Sequence, residues 1–108
     1  MTEQTRLEML KEILSQDPAN KLARYGLAME YSSAGETDQS ISEFKKLIEQ
    51  DPQYANAYFM AAQTLQRAER TDEAKEMLAK GIAVAQCAGN KHAESEMQAM
   101  LDELEIGY

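Results

Sequence analysis

Apolar residues recur every three to four positions along the chain, and no stretch alternates at a period of two, so the pattern predicts helices and no strands. Punctuating residues divide it into six segments, at about 3–16, 20–34, 37–50, 54–68, 71–87 and 91–105. Leu7, Leu10, Ile13 and Leu14 form one face of the first, Ala23, Leu27, Ala28 and Tyr31 of the second, and Ile41, Phe44, Leu47 and Ile48 of the third. Ala57, Tyr58, Ala61, Ala62 and Leu65 line the fourth, and Ala74, Met77, Leu78, Gly81 and Ile82 the fifth. Asp17-Pro18 and Asp51-Pro52 end the helices before them, because the residue preceding proline is pushed out of the helical region and proline lacks the N–H to continue. Gly35 can adopt the left-handed conformation that closes a helix, with Thr37 or Asp38 expected to cap the next. Glu69-Arg70 stands where the second unit would have its glycine, so that turn is expected to be slightly strained or differently shaped.

The segments repeat. Gln16-Asp17-Pro18 returns as Gln50-Asp51-Pro52 and Thr37-Asp38 as Thr71-Asp72, each 34 residues on. At the same interval Ala23 matches Ala57, Tyr25 Phe59, Ala28 Ala62, Ala34 Ala68, Phe44 Leu78, Lys46 Lys80 and Ile48 Ile82. Ala28 and Ala62 leave room for a close neighbour, and Phe44 and Leu78 supply the bulk to fill it.

A 34-residue helix–turn–helix period with this order of small, large and proline positions resembles the tetratricopeptide repeat family. Leu27, Ala28, Tyr31, Phe44 and Pro52 match the family pattern in one unit, and Tyr58, Ala61, Ala62, Leu65, Ala74, Leu78 and Gly81 in the next. Three positions depart from it: Arg24 replaces the aromatic, Ser40 the alanine and Gln86 the proline. Arg24 is expected to lay its stem along the core edge with its guanidinium wet. The resemblance implies an all-α fold, a right-handed superhelical stack of antiparallel helix pairs with about six helices. It divides residues 1–108, read as a single domain, into a half-repeat helix (3–18), two repeats (19–52 and 53–86) and a C-terminal capping helix (91–105).

The same resemblance places the first helix of each unit on a concave surface. Leu22, Tyr25, Met29 and Ser33, with Asn56, Phe59, Met60, Gln63 and Arg67, then point into a largely apolar groove suited to a peptide or partner protein. Tyr25 and Phe59 offer rigid contact area, and Met29 and Met60 adaptable contact. Members of the family that grip a terminal carboxylate use Lys, Asn and Arg inside the groove; with Tyr25, Met29 and Met60 at the matching places, no such clamp is expected. The alternative is a structural homodimer through the groove faces or through Leu7, Leu10 and Ile13, which lack a preceding helix.

Composition narrows the partner. Eleven Lys and Arg against nineteen Asp and Glu give a net charge of −8, which disfavours nucleic acid and anionic membrane surfaces. No apolar run approaches the roughly 18 residues of a membrane span, and Met1-Thr2-Glu3-Gln4 lacks the basic head of a secretory signal, so a cytoplasmic protein is expected. One cysteine, Cys87, cannot close an internal disulfide. His92 and Glu96 offer two ligands where a zinc site needs three or four. Asp102-Glu103-Leu104-Glu105 lacks the glycine-containing spacing of a calcium loop. Neither cofactor nor catalysis is expected.

Overall fold

The computed structural model describes residues 5–107. The expectations placed on Met1-Thr2-Glu3-Gln4, on the first two positions of the 3–18 half-repeat and on Tyr108 therefore lie outside the described residues. Six helices follow in order: α1 (Arg6–Gln16), α2 (Lys21–Ser33), α3 (Thr37–Gln50), α4 (Ala55–Arg67), α5 (Thr71–Ala88) and α6 (Lys91–Ile106). Each packs against the next, and α2, α4 and α6 also approach one another along one side, where α1, α3 and α5 are held apart. This is the curvature of a helical-pair stack, and the extents of 51 × 30 × 18 Å show its elongation.

Each interface is built from a small residue facing a large one. Ala28, Ala61 and Ala62 are fully buried, as are Phe44, Leu47 and Leu78, and each large side chain contributes about 1.5–3 kcal/mol by leaving water. The main core runs from Ala28 through α3, α4 and α5 to Leu104, and a smaller cluster of Leu10, Leu14, Ala23, Leu27 and Tyr31 joins α1 to α2. Gly26 lets Leu10 come close enough that an added Cβ would lie 3.2 Å from its Cδ2.

The turns follow local chemistry, with one correction. Gly35 has φ of 78° and Glu69, without the benefit of glycine, φ of 62°. Neither Thr37 nor Asp38 caps α3: the flanking residue is Glu36, which makes no side-chain cap bond, and Thr37 is already helical. The reason lies in the backbone. The chain leaves the left-handed residue and enters the next helix after one residue, so Thr37 falls one place too late. Asn20 and Asn90 do cap, accepting from the N–H groups of Ala23 at 2.9 Å and Ala93 at 3.1 Å.

Arg24 also differs from expectation. Its guanidinium is not wet: the side chain is 12% exposed, and Nη1 lies 2.6 Å from Glu43 Oε1, itself 12% exposed, while Nη2 donates to the Pro18 carbonyl at 3.0 Å. Burying a cation is costly unless it is paired, and α3 brings the carboxylate. Ser40 is fully buried where the pattern has alanine, and donates to the Ala28 carbonyl at 2.8 Å.

Candidate partner-binding groove

The position of α6 determines the shape of the inner surface. α5 runs for 18 residues against 14 in α3, because no proline stops it at Gln86. Gly89, at φ of 70°, closes it; the Asn90 N–H bonds back to the Ala85 carbonyl at 2.8 Å, and α6 begins at once. Met97, Met100 and Leu104 then face the core. Their spacing turns Glu96, Ala99 and Glu103 toward α4.

Between α4 and α6 an open cavity of about 410 Å³ is lined by Phe59, Gln63, Gln66 and Arg67 on one wall and Glu96, Ala99, Met100 and Glu103 on the other. A much smaller one, about 20 Å³, continues toward the helix starts among Ala55, Asn56, Phe59, Ala93, Glu96 and Met97. Phe59 belongs to both, half-buried against the core with the rest of its ring open to the groove.

Of the residues expected to line the groove, Asn56, Phe59, Gln63 and Arg67 meet at these cavities. Leu22, Tyr25 and Met29 lie on α2, and Met60 on α4. Leu22 is 76% exposed. Met29 and Met60 are half-buried against the core. Tyr25 packs away from these cavities: its ring meets Phe44 edge-on, centroids 6.1 Å apart, and lies 5.8 Å from the Tyr54 ring. Burial, and then the neighbouring Tyr54, push its phenol pKa up. Ser33 is exposed at the end of α2.

A chain of hydrogen bonds ties α2 to α4. The Thr64 hydroxyl donates to the Met60 carbonyl at 2.8 Å, so the Ser32 hydroxyl, 2.8 Å from Thr64 Oγ1, must be the donor between the two. Arg67 in turn donates through Nη2 to Ser32 Oγ. One nitrogen of the guanidinium is thereby tied to α2, while Arg67 still lines the cavity. On the other wall His92 Nε2 lies against Glu96 Oε1. Among the described residues no group of three or more His, Cys, Asp or Glu is arranged to hold a metal, and Cys87 is exposed.

Sequence reasoning missed Gln66, Ala99, Met100 and Glu103 and assigned Glu96 only to His92. The signal that could have found them is the Met97, Met100 and Leu104 stripe, which fixes which side of α6 abuts α4.

Among the described residues no helix is long and apolar enough to cross a membrane. The sequence also has identifiable relatives. The family model described as Tetratricopeptide repeat matches residues 31–87. A TPR repeat-containing protein of Pseudomonas aeruginosa is 30% identical over 99 residues, 92% of this chain and 94% of that protein. The solution structure of a tetratricopeptide repeat domain protein from Salinibacter ruber superposes with a TM-score of 0.77 at 32% identity, covering 85% of this chain and 93% of that one. The TPR2B domain of yeast Sti1, solved as a complex with pHsp70, shares the fold at a TM-score of 0.83 and 17% identity, over 94% of this chain and 82% of that one. The 34-residue period, the paired helices and these matches together place the chain in the tetratricopeptide repeat family.

Proposed function

We propose that the protein is a non-enzymatic interaction module of the cytoplasm, which takes a peptide segment or partner protein in the concave groove and carries out no reaction itself. In this reading residues 3–18 are a half-repeat, 19–52 and 53–86 two repeats and 91–105 a capping helix. Leu22, Tyr25, Met29, Asn56, Phe59, Met60, Gln63 and Arg67 form or support the contact surface. One observation carries it: Phe59 forms an apolar floor under about 410 Å³ of open space walled by amides and charges. The complex of the yeast Sti1 domain with pHsp70 supports the same use of the fold.

The test compares capture from cell lysate by the wild-type chain and by the Phe59→Ala, Met60→Ala double variant. Partners held by wild type are expected to be lost from the variant, a weakening of more than about 2 kcal/mol, while the helical circular-dichroism signal is retained. Equal capture by both would remove the groove from consideration.

A second reading, a homodimer through α1, rests on a contrast within the repeat. Ile13 is 41% exposed, whereas Leu47, its equivalent 34 residues on, is fully buried. Met9, 50% exposed, lies beside Ile13 in a shallow cavity of about 210 Å³. Two side chains fall well short of the roughly 800 Å² per partner of a stable interface, so this reading stands second. A mass by ultracentrifugation that rises with concentration and drops with Ile13→Glu would promote it.

A further inference from the structure

The groove has a charge asymmetry that identifies the kind of segment it takes. Its floor is apolar, made by Phe59, Ala99 and the edge of Met100. One wall carries only the Gln63 and Gln66 amides and Arg67, whose guanidinium is held by Ser32. The other carries Glu96 and Glu103, both on the surface, seven positions apart on α6 and so on one face, about 10.5 Å apart along the axis. Glu96 has only the exposed His92 beside it, and Glu103 has no ion-pair partner among the described residues. The whole chain, at −8, adds a negative field to this wall.

On the reading of this groove as the partner site, we propose that its occupant is a basic segment of another protein: an apolar anchor seated on Phe59, with Lys or Arg side chains facing Glu96 and Glu103. Two such residues fit at a separation of about two helical turns, or about three residues of extended chain. The Gln63 and Gln66 amides, each both donor and acceptor, suit the backbone between them. An acidic segment would meet Glu96 and Glu103 as like charges and find a single cation, Arg67, set against two carboxylates. The carboxylates give selectivity and association rate more than raw affinity, and the anchor supplies the larger share of binding.

The experiment is selection of phage-displayed random 12-residue peptides on the complete wild-type chain, with counter-selection on Phe59→Ala. The best peptide is then measured by fluorescence anisotropy against wild type and against the Glu96→Gln, Glu103→Gln double variant, at low and high salt. Expected are sequences with an apolar residue flanked by Lys or Arg, an affinity loss of about fivefold or more in the double variant, and weakening with salt. Helicity should be unchanged, since the exposed Glu96–His92 pair contributes little to stability. Phe59-dependent peptides that are acidic, lack charge bias or bind the double variant equally would overturn the basic occupant and leave the groove standing. Absence of any Phe59-dependent peptide would overturn both. Self-association abolished by Phe59→Ala would assign the groove to a second copy of the chain and overturn the basic occupant as well.

Discussion

The two repeats solve one packing problem with different chemistry. Arg24 in the first and Tyr58 in the second hold equivalent positions, 34 residues apart, and reach for equivalent atoms: Arg24 Nη2 donates to the Pro18 carbonyl at 3.0 Å, and the Tyr58 hydroxyl to the Pro52 carbonyl at 2.8 Å. Behind Arg24 stands Glu43; at its equivalent stands Met77. Ser40, bonded to the Ala28 carbonyl, is replaced by fully buried Ala74. The backbone of the repeat thus accommodates a largely buried ion pair where its neighbour has an aromatic and a thioether. The first repeat still carries a penalty, because Arg24 Nε is buried with no partner.

Breaking that pair should give the largest effect. Glu43→Met alone leaves the largely buried Arg24 guanidinium without its carboxylate, though still bonded to the Pro18 carbonyl, and a loss of about 2–3 kcal/mol in urea unfolding is expected. Arg24→Tyr combined with Glu43→Met imports the second repeat's arrangement and should recover most of this or exceed wild type, since apolar replacements of buried pairs are often neutral or stabilising. A double variant as unstable as the single would show that the two repeats are not interchangeable at this site.

This pair also marks where the sequence stops being readable. The stops at Pro18 and Pro52 and the left-handed turn at Gly35 are local, the Ala28–Phe44 and Ala62–Leu78 match is periodic, and the chain alone reveals them; that Glu69 makes the same turn without glycine only the structure shows. The Arg24–Glu43 contact joins two helices across 19 residues, and nothing in the helical spacing separates Glu43 from an ordinary solvated glutamate. The groove shows the same limit. Phe59, Gln63 and Arg67 follow from the repeat, but the opposite wall depends on where α6 starts, and that depends on how far α5 runs past Gln86 once proline is missing.

A second contrast lies between Leu47 and Gly81, equivalent residues of the two repeats. Leu47 is fully buried, yet a Cβ on Gly81 would come within 2.7 Å of Tyr58 Cβ and 2.5 Å of Met97 Sδ. The space that leucine fills in the first repeat is taken in the second by the Tyr58 ring and by α6. Met97 can swing its thioether aside, whereas the Tyr58 Cβ is fixed to the backbone. Gly81→Ala should therefore cost about 1–2 kcal/mol, overpacking outweighing the better helix propensity of alanine. Because the clash pushes α6 outward, the variant should also weaken any ligand held between Phe59 and Glu96. A gain in thermal midpoint would mean that α6 is free to shift.

The smallest contrast is between the two left-handed turns, which share a hydrogen-bond pattern and differ in one side chain. The N–H of Glu36 bonds to the Tyr31 carbonyl at 2.9 Å and that of Arg70 to the Leu65 carbonyl at 2.8 Å; one residue earlier, Gly35 bonds to Ser32 at 3.1 Å and Glu69 to Gln66 at 2.9 Å. With the bonds equal, the difference reduces to a Cβ at positive φ, which costs about 1–2 kcal/mol, set against the greater freedom glycine loses on folding, about 0.5–1 kcal/mol. Glu69→Gly should accordingly stabilise by about 0.5–1 kcal/mol, and Gly35→Ala destabilise by a similar amount. Both substitutions leave the packing intact, since a Cβ at Gly35 meets nothing within 4 Å. The pair of changes therefore isolates backbone strain, and opposite shifts of the unfolding midpoint are its signature. Shifts of the same sign would trace the effect to the exposed Glu69 side chain instead.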